Sequence, residues 1–317
     1  MMFPFENLKK YITSGNHRPH IVFFGTDEFS VGVLSELQKQ NITPTFIVTM
    51  PDMPSGRKLL PTPTPVKIWG ENHGIVVCQP IQINDEQFMY HLDHHIKDEC
   101  QMEDINHYTW DIFLIASFGK ILPKNLLGIP RYGVVNIHPS LLPKLRGSTP
   151  IQTALLEESE TGISIMEVDE KMDHGPIYTK KKLEEKNIIM PYEEIEKKLA
   201  KLGASLFVSI LPSLLSGDII PKPQEHNKAT FTKKIVKEDG IIDLSDDGET
   251  NYRKYCAFHR WPRSYFFEEK NEKKIRVIIS DAEYKNGIFI IKKVIPEGRR
   301  EITWKEFESG YKTNNKT

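Results

Sequence analysis

The chain reads as an α/β protein built on a doubly wound, mostly parallel sheet, followed by a smaller β domain. Three observations predict this. Short apolar runs rich in Ile, Val and Phe recur through the first two thirds of the chain with helical or loop segments between them. A Gly- and Pro-containing stretch breaks the pattern after residue 216, and beyond it two β-type runs are joined by an Asn-Gly turn. At 317 residues there is room for two domains of ordinary size.

The elements follow in order. His20 to Phe24 is an apolar run closed by Gly25, and Phe29, Val33 and Leu37 then recur every four residues, so a strand turns into a helix. Thr45 to Met50 is a second strand, leading into Pro51-Asp52-Met53-Pro54-Ser55-Gly56-Arg57-Lys58, whose Pro and Gly content predicts a loop. Ile75 to Cys78, Ile112 to Ala116, Val134 to His138 and Ile163 to Val168 are further strands of what becomes a Rossmann-like sheet. Pro191 to Leu215 carries Ile195, Leu199, Leu202 and Leu206 at helical spacing and closes the first domain. Ile275 to Ile279 and Ile288 to Ile291, joined by Lys285-Asn286-Gly287, predict a hairpin in a small β domain, expected as an OB-like β-barrel. The expected divisions are an N-terminal extension over 1–19, a catalytic domain over 20–216, a linker over 217–227 and a C-terminal β domain over 228–317.

Charge and cysteine usage narrow the function. The chain is net −1, so no overall positive field draws it onto nucleic acid indiscriminately. Residues 228–317 hold 20 Lys and Arg against 15 Asp and Glu, net +5, which leaves net −6 for the rest. That asymmetry is as compatible with a nucleic-acid-facing module as with a solvated basic face. Cys78, Cys100 and Cys256 are too few and too widely spaced for a disulfide framework or paired zinc ligands, so a reducing compartment is expected. The first twenty residues lack the apolar run of a signal peptide, and no stretch is expected to span a membrane. A cytoplasmic protein, with an organellar matrix as the other setting, follows; a monomer is expected. His91, His94, His95, Cys100 and His107 match no metal-ligand spacing, so no metal is expected. Gly25 opens no G-x-G-x-x-G, which sets aside a dinucleotide site.

Three polar groups carry the candidate chemistry. Asn136 and His138 stand two apart on a strand and so share a face, at the carboxyl end where open α/β sheets bind ligands. Asp173 lies in the turn Met172-Asp173-His174-Gly175. An amide and an imidazole held by a carboxylate could stabilise an oxyanion and move a proton. Read from the residues alone, they could equally serve backbone groups at a strand end while Asp173 caps a turn.

The run Asn136-Ile137-His138-Pro139-Ser140-Leu141-Leu142-Pro143 resembles the central signature of the 10-formyltetrahydrofolate transferases. Phe24-Gly25-Thr26, Gly119-Lys120-Ile121-Leu122-Pro123, Thr161-Gly162 and Met172-Asp173-His174-Gly175-Pro176 keep that family's order over roughly residues 20 to 260. The resemblance implies that Asn136, His138 and Asp173 are the catalytic set. An amine would attack the formyl carbon while Asn136 and a charged His138 hold the oxyanion, with Asp173 pairing with the ring and helping to relay the proton. It implies 10-formyltetrahydrofolate as co-substrate, lying against Gly119, Ile121 and Leu122 and against Val168 and Asp169. Ser140, Leu141, Leu142 and Pro143 would wall the pocket. Arg146-Gly147-Ser148-Thr149-Pro150-Ile151-Gln152, Pro51 to Arg57, Pro65-Val66-Lys67 and Trp261-Pro262 are similar to the members that act on charged initiator tRNA. This implies formylation of the methionyl amino group for translation initiation, with Arg57, Lys58 and Arg146 contacting tRNA. The Arg57-Lys58 loop is shorter and less basic than is typical of them, and Pro139 stands where they often have Gly. Members that formylate amino sugar nucleotides share the central signature, and a non-catalytic RNA- or folate-binding relative is a third reading.

Overall fold

The computed structural model describes residues 19–55, 60–100, 110–157, 160–185, 189–270 and 273–311. It divides into two compact units. The first comprises residues 1–148, 161–183 and 197–231; the second comprises 149–160, 184–196 and 232–317. Both are discontinuous in sequence. The segment 217–227, expected to be a linker, belongs to the first unit.

The first unit is built on a seven-stranded sheet. In chain order its strands are β1 (Ile21–Gly25), β2 (Phe46–Val48), β5 (Val76–Cys78), β6 (Ile112–Ala116), β7 (Val134–His138), β8 (Gly162–Glu167) and β9 (Ile177–Lys182). They lie side by side as β5-β2-β1-β6-β7-β8-β9. The first five are parallel, and β8 and β9 extend the edge antiparallel. The expected mostly parallel sheet is therefore present, with β9 an addition whose Lys-rich sequence carries little strand signal. The Pro-rich loop after β2 is in part a short hairpin of β3 (Met53–Ser55) and β4 (Leu60–Thr62). Between them, Arg57 and Lys58 lie outside the described residues.

Strand parity decides what each face buries. Val22 and Phe24 of β1, Phe46 and Val48 of β2, Phe113 and Ile115 of β6 and Val134 of β7 share one face. There they pack with Phe88 and Leu92 of α3 (Glu86–Cys100), with Trp110, and with Phe118, Leu122 and Leu126. The opposite face is covered by α1 (Glu28–Lys39) and α6 (Tyr192–Ser216). Gly203 of α6 sits so close to Ile137 and Ile163 that a Cβ there would lie 2.5 Å from Ile137 Cγ2. Helices on both faces make the sheet doubly wound. Helix α6 also corrects the expectation that no stretch could span a membrane: its 25 residues are long and apolar enough by composition. Leu199, Ala200, Ala204, Phe207 and Leu211 are buried, so its apolar character comes from core packing.

The second unit holds the expected small C-terminal β domain. Its antiparallel sheet runs β10 (Tyr265–Lys270), β11 (Lys273–Lys285), β12 (Ile288–Pro296), β13 (Ile302–Thr303). Asn286 and Gly287 have φ of 53° and 82°, the two left-handed residues that the tight β11–β12 turn needs. Helix α7 (Gly248–Ala257) starts at Asp247, which accepts from Glu249 N at 3.1 Å and Thr250 N at 3.0 Å. Helix α8 (Trp304–Tyr311) places Phe307, fully buried, edge-on to Phe266. The first turn of α6 belongs to this unit, where Glu196, 2% exposed, is held bidentately by Arg260 at 2.8 and 2.6 Å.

Candidate active site

The strand that carries the signature alternates faces as the sequence predicts. Val135 and Ile137 point toward α6, so Val134, Asn136 and His138 point the other way, at the edge of the apolar cluster. His138 is the last residue of β7, at the carboxyl end of the parallel strands, and is 4% exposed.

Asp173 meets both of its expected partners. Its Oδ1 lies 3.4 Å from Asn136 Nδ2 and 3.6 Å from His138 Nδ1. Its Oδ2 accepts from the backbone N–H of Gly147 at 2.8 Å. The first two distances exceed a good hydrogen bond, so the amide, ring and carboxylate surround a point without closing on one another. His138 Nε2 donates to the carbonyl of Leu145 at 3.1 Å, which fixes the ring and leaves its Nδ1 edge facing Asp173. Asp173 has φ 49° and Leu145 has φ 58°, left-handed positions that persist when the surroundings over-determine them.

The surroundings do so. Ser164, on β8 opposite His138, is fully buried; its hydroxyl accepts from Leu142 N at 3.0 Å and donates to Ser140 O at 2.8 Å, pinning the signature turn. Ser140 Oγ donates to Lys144 O at 2.7 Å. The Leu142–Pro143 peptide is cis. Gly175 is held so near Glu167 that a Cβ would lie 2.0 Å from its carbonyl oxygen. Gln224, which no motif in the sequence singles out, donates from its amide to Asp173 O at 3.0 Å and to Gly175 O at 2.7 Å.

The residues expected to face folate divide by burial. Gly119 has φ 85°, with open space where a Cβ would be, and Ile121 is 59% exposed beside it. That loop is tied to the one after β1: Thr26 Oγ1 donates to Phe118 O at 3.0 Å and Ser117 Oγ to Asp27 Oδ2 at 2.5 Å. Leu122 and Leu142 are buried, and Val168 packs on the apolar cluster with its N–H on Val134 O at 2.8 Å. Leu141 is half-buried against Gly162, and Asp169 accepts from or pairs with His174 Nδ1 at 2.6 Å. The Gly119 loop therefore presents an open glycine backbone beside an exposed isoleucine. Burial, with the charge of Asp169 second, raises the Glu167 carboxyl above its usual range.

Arg146 departs from the sequence expectation. It is 3% exposed, and its guanidinium donates to Gln224 Oε1 at 2.7 Å and faces His226 Nδ1 at 2.9 Å. A guanidinium so buried is not presented to a phosphate backbone. An arginine can only donate, so His226 Nδ1 is the acceptor. Partial desolvation, then the positive charges of His174 and Arg146, hold the His226 imidazole below its ordinary range. Of the histidine-rich segment, only His91 has a described side chain, and among the described residues no group of three metal-type side chains forms.

The family model described as "Formyl transferase" matches residues 19–211, which include the doubly wound sheet and the asparagine, histidine and aspartate that converge at the end of its central strand. The chain belongs to that family. Within it, the sequence is 39% identical to methionyl-tRNA formyltransferase of Geobacillus thermodenitrificans over 81% of this chain and 76% of that protein. It is 33% identical to methionyl-tRNA formyltransferase of Dictyoglomus thermophilum over 93% of this chain and 97% of that protein. The structure of methionyl-tRNA formyltransferase from Clostridium thermocellum superposes with a TM-score of 0.57, at 20% identity, covering 88% of this chain and 98% of that one. The chain therefore falls among the methionyl-tRNA formyltransferases.

Proposed function

We propose that this chain transfers the formyl group of 10-formyltetrahydrofolate to the amino group of methionyl-initiator tRNA, for translation initiation. The observation that carries the reading is the 33% identity that continues over 97% of a methionyl-tRNA formyltransferase, beyond the catalytic signature and through the C-terminal module. The folate supplies an activated formyl carbon bound to nitrogen. The protein's part is to place the methionyl amine against that carbon, so that a carbon–nitrogen bond forms as the one to the folate nitrogen breaks.

Asn136 Nδ2 and the Nδ1 edge of His138 are the donors set around the position where a reacting oxygen gains negative charge. The carboxylate of Asp173 balances a charged His138 ring and accepts the proton that the attacking amine loses, directly or through water. The folate nitrogen takes up a proton as it leaves. Gly119, Ile121, Leu141 and the backbone of residues 168–173 are proposed to line the folate site. Ser140, Leu142, Pro143, Leu122 and Val168 keep its shape. Arg57 and Lys58 are proposed to meet the acceptor end of the tRNA, since their loop leaves the carboxyl end of β2. A monomer in a reducing, cytoplasm-type compartment belongs to the same reading, the compartment on the ground that three widely spaced cysteines offer no disulfide framework.

Purified protein with 10-formyltetrahydrofolate, offered charged initiator tRNA or amino sugar nucleotides in parallel, tests this. Formylmethionyl-tRNA is the expected product. Transfer to the sugar nucleotides alone would overturn the reading.

A further inference from the structure

We infer that Gln224 is a positioning residue for the transfer: with its amide locked by Arg146, it clamps the turn that carries Asp173. The inference rests on the placement of Asp173 in the catalytic set. It assigns a role in the reaction to the segment after α6, which by composition looks like a connector.

The orientation of the Gln224 amide is forced. Gln224 is 6% exposed, and its three polar contacts are Arg146 at 2.7 Å, Asp173 O at 3.0 Å and Gly175 O at 2.7 Å. A guanidinium has no acceptor and a carbonyl no donor, so the amide oxygen must face Arg146 and the amide nitrogen must face both carbonyls. Both N–H directions of the amide, and its oxygen, then point at fixed groups. The carbonyls it holds lie on either side of His174, and one of them belongs to the left-handed residue Asp173, whose φ is 49°. Such a backbone keeps its geometry only under outside constraint.

Arg146 acts on Asp173 from two sides. The peptide it shares with Gly147 presents the N–H that holds Asp173 Oδ2 at 2.8 Å, while its side chain holds the amide that holds the Asp173 carbonyl. Among the described residues no carboxylate lies within 4.0 Å of the buried guanidinium, and its Nε makes no hydrogen bond. Burying such a charge on neutral partners costs stability, and so stands out as a group kept for what it orients. The segment itself is seated on the first unit by an Ile177–Lys222 bridge, by Arg146 N on Thr230 O at 2.9 Å, and by Phe231 under the guanidinium, 5.9 Å from ring centre to Cζ. Asp173 is thus set against His138 and Asn136 by residues more than 50 positions downstream.

The test uses the full chain with Gln224→Glu, which keeps an acceptor for Arg146 but turns oxygen onto the two carbonyls, and Gln224→Met, which keeps volume without polar ends. Two readouts are taken. Hydrogen exchange over residues 172–176 needs no substrate, and both variants should speed it about tenfold or more while the β1 and β6 amides stay protected. In formyl transfer, kcat should fall by up to about 100-fold with KM for 10-formyltetrahydrofolate within about twofold, because a misplaced group weakens the step more than the binding. Adding Gln224→Glu to Asp173→Asn should cost little further, since both act through one carboxylate. Unchanged exchange over 172–176 overturns the clamp even if the substrate assignment is wrong. Losses that multiply in the double variant overturn it even if exchange changes, since Gln224 would then act elsewhere.

Discussion

Asp173→Asn isolates the charge of the carboxylate from its shape. The asparagine Oδ1 can still accept the Gly147 N–H now made to Asp173 Oδ2 at 2.8 Å, so the turn keeps one of its anchors. What disappears is the negative charge 3.6 Å from His138 Nδ1, in a place where the two side chains are 5% and 12% exposed. At an effective dielectric of about 20, two unit charges at that separation attract by about 4–5 kcal/mol, an upper figure before screening. If the ring is charged when negative charge develops on the formyl oxygen, losing that attraction corresponds to about a 10³-fold fall in kcat. The new NH2 also faces Asn136 Nδ2, donor against donor, which adds to the loss. Single-turnover formylation of charged initiator tRNA at saturating folate reads the step, and near-ultraviolet circular dichroism reads the fold. A folded Asp173→Asn enzyme within about tenfold of wild type would refute an electrostatic role for the carboxylate.

Other outcomes follow from the same structure. Ser164→Ala leaves the buried Leu142 N–H without its acceptor and should destabilise the protein by about 2–3 kcal/mol in urea with the slope unchanged; a loss below about 0.5 kcal/mol would count against the pin. Burial raises the Glu167 carboxyl above its usual range, so its ionisation opposes folding. That penalty is absent below the unfolded value near 4.3 and grows as pH rises through the folded one. Glu167→Gln should accordingly raise Tm at pH 7, with the gain closing as pH falls below about 4; a gain independent of pH would refute the linkage. Replacing Arg57 and Lys58 by Ser should raise KM for charged tRNA without changing folate affinity, and an unaltered KM at low and moderate salt would remove the loop from tRNA recognition.

Much of the fold was legible because each signal is local. The short apolar runs of β1, β6 and β7 match the observed strands to within a residue, since a strand buried on both faces leaves a short apolar block. The helix over Pro191 to Leu215 appeared as Tyr192–Ser216 because apolar spacing is set by its own turn geometry. The shared face of Asn136 and His138 likewise needed only strand parity, and the family signature supplied Asp173. Other elements left no such trace. Strand β9 reads Ile-Tyr-Thr-Lys-Lys-Lys, and it is a strand because β8 offers an antiparallel edge. The role of Pro221-Lys222-Pro223-Gln224 could not be read from its composition, which signals only a turn-rich segment.

The sequence by itself determined the strand-and-helix alternation, the catalytic residue types and the family, because these rest on neighbours a few positions apart or on a contiguous motif. The tertiary structure decided which groups meet across long separations: Asp173 with His138, Gln224 with Asp173, Ser164 with the Ser140–Leu142 turn. It also reversed the reading of Arg146, which the family resemblance sets against tRNA and packing places 3% exposed against an amide and an imidazole. The physical reason is common to all four. A side chain's partner depends on which strand edge and which turn are brought beside it, and that is fixed by the packing of the whole unit, not by the residues on either side of it in the chain.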